Sequence, residues 1–161
     1  MSPPPDGTLK RLETGLSALV RWNESKHIRH EVAARSGCEL QSSELRLLEH
    51  FDLSEPMRIS DIAECMRIDI STVSLQLRPL RRDGLVDATP CDRDRRVTLI
   101  GITAKGRATV AKVRAARREL LAEVFTDVPA DDLEKAADVL LVVQEHMLAG
   151  MRELLGLTPT S

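Results

Sequence analysis

Residues 59–106 read ISDIAECMRIDISTVSLQLRPLRRDGLVDATPCDRDRRVTLIGITAKG. Ile59, Ile62, Ala63 and Met66 recur at helical spacing behind Ser60, a good N-cap residue, so the stretch Ile59–Met66 predicts a short helix. A second helical run covers Ser71 to Asp83, with Val73, Leu77 and Leu80 on its core side and Gly84 where a helix stop belongs. Two strands are expected next, Leu85–Thr89 and Val97–Ile102, joined by an arginine-rich turn, Pro90-Cys-Asp-Arg-Asp-Arg-Arg96. Two helices, a short gap and a basic hairpin predict a winged helix-turn-helix, an arrangement that sets one helix and one ribbon against duplex DNA.

Pro79 stands inside the second helical run. A proline there removes a hydrogen bond and crowds the carbonyl of Leu75, at a cost of about 3 kcal/mol unless a bend absorbs it. Two outcomes are open: a kink that returns Leu80 to the core, or a helix that ends before Pro79.

The charge is unevenly spread. Residues 67–118 hold 13 Lys/Arg against 5 acids, a net of +8, whereas residues 1–66 carry −3 and residues 119–161 carry −7. The overall −2 therefore conceals a basic middle between acidic ends, and a phosphate responds to the local field.

A chain of 161 residues with 42% hydrophobic and 30% charged residues fits one soluble domain with a real core. No apolar run approaches the roughly 18–20 residues that span a bilayer, so a membrane partner is not expected. Met1-Ser-Pro-Pro-Pro-Asp-Gly7 lacks the pattern of a signal peptide, and residues 1–8 are expected to be a disordered tail. Cys38, Cys65 and Cys91 are odd in number and form no CxxC pair, which favours a reduced cytoplasmic setting; Cys65 is expected in the core. An enzyme is disfavoured, because there is no glycine-rich phosphate loop, zinc-protease histidine pair or GxSxG elbow. No cofactor and no metal are expected.

Long helices flank the central block. The first is expected from Leu9 to Arg35, capped by Thr8, with a stripe of Leu9, Leu12, Leu16, Leu19 and Val20 that turns polar at Asn23, His27 and His30. Ser42–Phe51 should bury Leu45, Leu48 and Phe51. Thr103 caps a helix from Ala104 to Val124, and a last helix runs from Pro129 to about Leu155. Its apolar stripe lasts about six turns, longer than one small lobe needs, and suggests a bundle between subunits. The expected organisation is a single domain over 9–161. Residues 9–36 and 104–156 form its helical dimerisation region, and 40–103 its DNA-binding lobe. A two-fold homodimer then demands a pseudo-palindromic operator.

The side chains expected at DNA are Ser71, Thr72, Ser74, Leu75, Gln76 and Arg78 on the second helix, and Arg93, Arg95 and Arg96 on the wing. Gln76 suits adenine and Arg78 guanine, each bidentate pair discriminating by roughly 1–3 kcal/mol. A wing arginine suits a narrow minor groove. Asp94, like Asp92, is expected to brace a neighbouring arginine through a charge-assisted hydrogen bond.

Ser71-Thr-Val-Ser74, Leu80-Arg-Arg-Asp-Gly-Leu-Val86, Asp94-Arg-Arg96 and Ile102-Thr-Ala-Lys-Gly106 together resemble the MarR family of bacterial transcriptional regulators. The likeness covers Leu40 to Gly106. It implies a homodimer joined by its terminal helices, a winged helix in each subunit, and repression of a nearby operon relieved by a small, often aromatic, ligand. Trp22, His27 and His30 are the candidates for the wall of that ligand's pocket, by position alone. Two departures stand out: Leu75 occupies a place where arginine or another polar residue is common, and Gln41 one where a capping Ser or Thr is usual, a lack that Ser42 is expected to repair. Two rivals remain. One is a metal- or redox-responsive regulator of the same fold, using Glu24, His27, His30, Glu31 and Cys38 or an oxidised Cys38 or Cys91. The other is a winged domain that binds protein instead of DNA.

Overall fold

The computed structural model describes residues 5–154. Seven helices and one hairpin follow in the order α1 (Asp6–Glu24), α2 (Lys26–Ser36), α3 (Ser42–Asp52), α4 (Ile59–Met66), α5 (Ile70–Arg82), β1 (Val86–Pro90), β2 (Thr98–Ile102), α6 (Ala104–Val124) and α7 (Ala130–Leu154). The mainly helical, winged class is as the sequence predicts. The chain divides into two compact units, one up to Leu120 and one from Leu121 onward.

In the first unit, α3, α4 and α5 close around Leu47, Leu48, Phe51, Ile62, Val73, Leu77 and Leu80, joined by Leu85, Val86 and Ile100 from the hairpin and Val110 from α6. Side chains of this size each contribute roughly 1.5–3 kcal/mol when withdrawn from water, so this cluster is what holds the lobe. A second cluster, Val32, Val113, Ala116 and Leu120, ties α2 to α6.

The hairpin pairs Val86 with Ile102 through Pro90 with Thr98 in antiparallel register. A third short segment joins it: Met57 exchanges two backbone hydrogen bonds with Ile100, at 3.0 and 2.8 Å. That bridge was not anticipated, because one residue behind Pro56 shows no alternation. Leu85 falls outside β1. Its N–H donates to the Leu80 carbonyl at 2.8 Å and its carbonyl accepts from Thr103 N–H at 3.0 Å, so helix ends hold it rather than a strand partner.

Several local expectations need correction. The first long helix is two helices, interrupted at Ser25 (φ −58°, ψ 130°) just where the apolar stripe turns polar and no buried face rewards a continuous axis. α1 starts at Asp6 behind Pro5, so residues 6–8 are helical and Thr8 is inside the helix rather than its cap. α4 starts one residue before Ser60, whose hydroxyl donates to Asp61 Oδ1 at 3.1 Å instead of capping. Cys65 is exposed, not core. On α3 the fully buried leucines are Leu47 and Leu48, with Leu45 only half-buried. α5 continues through Pro79 to Arg82 with Leu80 fully buried, so the helix does not stop at the proline. Leu155 lies outside the described residues.

In the second unit, α7 leaves Val139, Leu140, Leu141, Val142 and Met147 exposed. No described helix is long and apolar enough to cross a membrane.

Candidate nucleic-acid interface

The turn between α4 and α5 is built on Arg67, the one described non-glycine residue with positive φ (53°). It closes α4, and Ile68 N–H returns to the Ala63 carbonyl at 3.0 Å. Asp69 then precedes α5, which presents two opposite faces. Val73, Leu77 and Leu80 are buried, while Ser71, Leu75, Arg78 and Arg82 are exposed at the i, i+4, i+7, i+11 spacing of one helix face. Thr72, Ser74 and Gln76 are half-buried. The Ser74 hydroxyl donates to the Ile70 carbonyl at 2.8 Å, and Gln76 Oε1 is buried without a partner. Of the two polar neighbours of Leu75, Ser74 thus spends its proton on its own helix and Gln76 buries its amide oxygen.

At its far end α5 is tied to the wing and to α6. Gly84 (φ 68°) donates to the Arg81 carbonyl at 3.1 Å. Thr103 Oγ1 donates to the Gly84 carbonyl at 2.8 Å and accepts from Gly106 N–H at 3.0 Å, so the expected cap of α6 is present. Lys105 Nζ donates to the Asp83 carbonyl at 2.7 Å. A Cβ on Gly106 would lie 2.2 Å from the Leu85 carbonyl oxygen, a contact only glycine avoids. Hydrogen bonds and close packing therefore join the helix, the hairpin and the start of α6.

The wing turn exposes Arg93, Arg95 and Arg96, and none has an ion-pair partner among the described residues. Asp94 does not brace a guanidinium: its Oδ1 accepts from the backbone N–H of Arg96 at 3.0 Å, and its carbonyl accepts from Val97 N–H at 2.9 Å. A short acid at this place can satisfy a turn's own amides more cheaply than it can order a long side chain. The arginines stay free.

Other cations of the basic middle are not free. Arg114 Nη1 bonds Asp52 Oδ2 at 2.7 Å, Arg107 Nη1 lies 3.7 Å from Asp52 Oδ1, and Arg117 pairs with Glu49. The side chain of Asp52 is only 14% exposed. These partners lie on α3, outside the segment whose charge was summed, so the sequence could not show the cancellation. Arg82 is likewise occupied, donating to both Asp83 carboxylate oxygens at 2.8 and 3.2 Å. That hydrogen bond, aided by Coulomb attraction, lowers the Asp83 pKa, and Asp83 in turn raises that of Arg82.

Between α2, α3 and α6 lies a cleft of about 760 Å³. His30, Arg29, Arg46, Cys38, Glu49 and Arg117 are among its lining residues, with Val32 and Val113 supplying apolar wall. Of the three candidate pocket residues, only His30 lines it. Trp22 packs half-buried against the second core cluster and His27 is exposed elsewhere on α2. Among the described residues no three His, Cys, Asp or Glu side chains gather at metal-binding distance, so the metal-sensor set is not assembled. At the entry to α3, the backbone N–H of Gln41 donates to Glu44 Oε2 at 2.9 Å. Gln41 and Glu44 form a reciprocal capping box, the Gln41 side chain accepting from the Glu44 backbone N–H, and Ser42 takes no part in it. The Ser42 hydroxyl instead accepts from Arg29 Nη1 at 3.1 Å.

Residues 40–98 match the model of the MarR family. The chain is 26% identical over 108 residues to the uncharacterised HTH-type transcriptional regulator YdgJ of Bacillus subtilis, covering 67% of this chain and 66% of that one. It is 28% identical over 115 residues to the HTH-type transcriptional repressor IacR of Pseudomonas putida, covering 63% and 69%. The alignments therefore span about two thirds of these relatives' own lengths. A MarR family protein from Bacillus stearothermophilus has the same fold, with a TM-score of 0.75 at 18% identity over 91% of this chain and 99% of the other. The matched segment contains α3–α5 and most of the wing, the elements whose geometry is described above. The chain thus carries a MarR-family match over residues 40–98 and shares the winged helix-turn-helix fold of a solved MarR family protein.

Proposed function

We propose that this chain acts in the cytoplasm as a homodimeric, sequence-specific repressor that binds a pseudo-palindromic DNA operator and is released by a small organic ligand. The observation that carries DNA binding is the contrast inside the basic segment: the wing arginines are exposed and have no ion-pair partner among the described residues, while Arg107, Arg114 and Arg117 of α6 are paired with α3. Free guanidinium groups on an exposed turn suit phosphate and a narrow minor groove. The repressor reading leans on the likeness to IacR. Dimerisation is supported by exposed apolar side chains on α1 (Leu9, Leu12, Leu19, Val20) and on α7 (Val139, Leu140, Leu141, Val142, Met147). The cleft supports the ligand, which must bind the DNA-incompetent state better, since affinity alone shifts no equilibrium.

Gel shift with the region upstream of the chain's own gene tests this reading. With roughly 6–10 phosphates met, affinity should fall by about 10³–10⁵ between 50 and 200 mM salt. Absence of a salt-sensitive, sequence-specific shift refutes DNA recognition. Light scattering should give twice the chain mass, and Leu140→Glu should lower that value or unfold the protein; an unchanged dimeric mass refutes the α7 interface.

A further inference from the structure

We infer that Leu75 is the central base-reading side chain of α5 and that it reads the 5-methyl group of thymine; the inference rests on α5 lying in a DNA groove as proposed above. On the open face of α5, Leu75 stands one turn after Ser71 and one turn before Arg78, and it is 59% exposed. The neighbouring polar groups are withdrawn, Ser74 bonded to its own helix and Gln76 Oε1 buried. Whatever meets the middle of this face meets a branched hydrocarbon.

The flanking charges identify that occupant. Arg78 and Arg81 are exposed on the same helix, and Arg93, Arg95 and Arg96 on the wing, a setting suited to a polyanion and hostile to an apolar protein surface. In the major groove the edges of guanine, cytosine and adenine offer donors and acceptors but no methyl group, and a leucine over them leaves those polar groups unpaired. Thymine alone adds an apolar group there. Leucine against the methyl removes both from water without stranding a hydrogen bond. An arginine at this position would favour guanine, so leucine here selects a different base.

The test removes the thymine methyls and nothing else. Duplexes retained by the full chain from a random pool are resynthesised with deoxyuridine in place of every thymidine, and both forms are titrated. The parent should bind the uracil duplex about fourfold more weakly for each methyl contacted, hence about sixteenfold for two half-sites. Leu75→Ala should bind the two duplexes equally. Leu75→Met, still apolar, should keep part of the difference, and Arg96→Ala should weaken both duplexes while preserving their ratio. Equal binding of both duplexes by the parent overturns the inference, and so does a Leu75→Ala variant with the parent's full ratio. Retention of no duplex at all overturns the DNA reading itself, a result distinct from loss of methyl sensitivity.

Discussion

The arginines of the wing and Arg107, Arg114 and Arg117 of α6 are the same residue type within one basic segment, yet the fold puts them to opposite uses. Arg114 and Arg117 reach across to Asp52 and Glu49 and fasten α6 to α3. Arg93, Arg95 and Arg96 sit on a turn where Asp94 accepts from the Arg96 backbone N–H, and among the described residues no acid pairs with their guanidinium groups. Charge that is paired internally adds to tertiary structure and little to the outward field. Charge without a partner does the reverse, and costs nothing to redirect toward a ligand. A count of basic residues does not separate the two; geometry does.

The sharpest way to break this contrast is to remove the wing charges together. Arg93→Ala/Arg95→Ala/Arg96→Ala should lower operator affinity on the order of a hundredfold near 0.15 M salt, and flatten the slope of log affinity against log salt by about 0.9 for each arginine that meets a phosphate. Thermal unfolding should be unchanged within about 0.5 kcal/mol, because exposed side chains with no partner leave no contact behind. Fluorescence anisotropy and a melting curve measure the two effects. A large loss of stability would mean that the wing arginines are structural after all.

Gly106→Ala probes the joint between the two regions. The new Cβ would press on the Leu85 carbonyl at 2.2 Å and on Ile102 Cγ1 at 2.6 Å, forcing α6 away from the end of α5 and the wing. A destabilisation of about 1–3 kcal/mol is expected, seen in calorimetry as a Tm several degrees lower. If the melting temperature holds, the contact is softer than its geometry implies.

The core lobe was legible because its signals are local. Ile62, Val73, Leu77 and Leu80 repeat at helical spacing, Gly84 supplies a left-handed stop, and Thr103 caps the next helix three residues before Gly106. The wing and its arginines followed from the same reading. What escaped depends on distant partners: the Met57 bridge to Ile100, the pairing of Arg114 with Asp52 across 62 positions, and the break at Ser25. The inward turn of Gln76 was also invisible, since a helical wheel places it on the boundary where a rotamer decides its face. The cleft lies beside the second half of the expected first helix, now α2, with α3 opposite, yet of the three named residues only His30 lines it.

On the paired side, Asp52→Asn removes the charge that Arg114 and Arg107 share. With Asp52 largely shielded and Arg114 39% exposed, the loss should be about 1 kcal/mol of unfolding free energy, read from a denaturant midpoint shift. Operator affinity should change by less than the wing variant's by an order of magnitude, or even rise slightly as two cations are released. A drop comparable to the wing variant's would show that the α3–α6 seam positions the DNA-reading elements, and the division between structural and open arginines would fail.

The smallest effect belongs to the exposed pair Arg82 and Asp83, which lies on the border between the two classes. Here the acid is a sequence neighbour, and its hydrogen bond with Arg82 lowers the Asp83 pKa from its ordinary 3.8. A carboxyl whose folded pKa is depressed contributes stability that is present above the unfolded value and vanishes as pH falls through the folded one. Asp83→Asn should therefore leave the stability profile unchanged well below that range and slightly lower above it, flattening the acid limb below about pH 4. It should also free Arg82, on the open face of α5, for a phosphate. A modest gain in operator affinity together with a steeper salt dependence is the expected result in anisotropy titrations. If affinity and salt slope stay fixed, Arg82 is outside the reach of the duplex, and the open face that matters ends at Arg78.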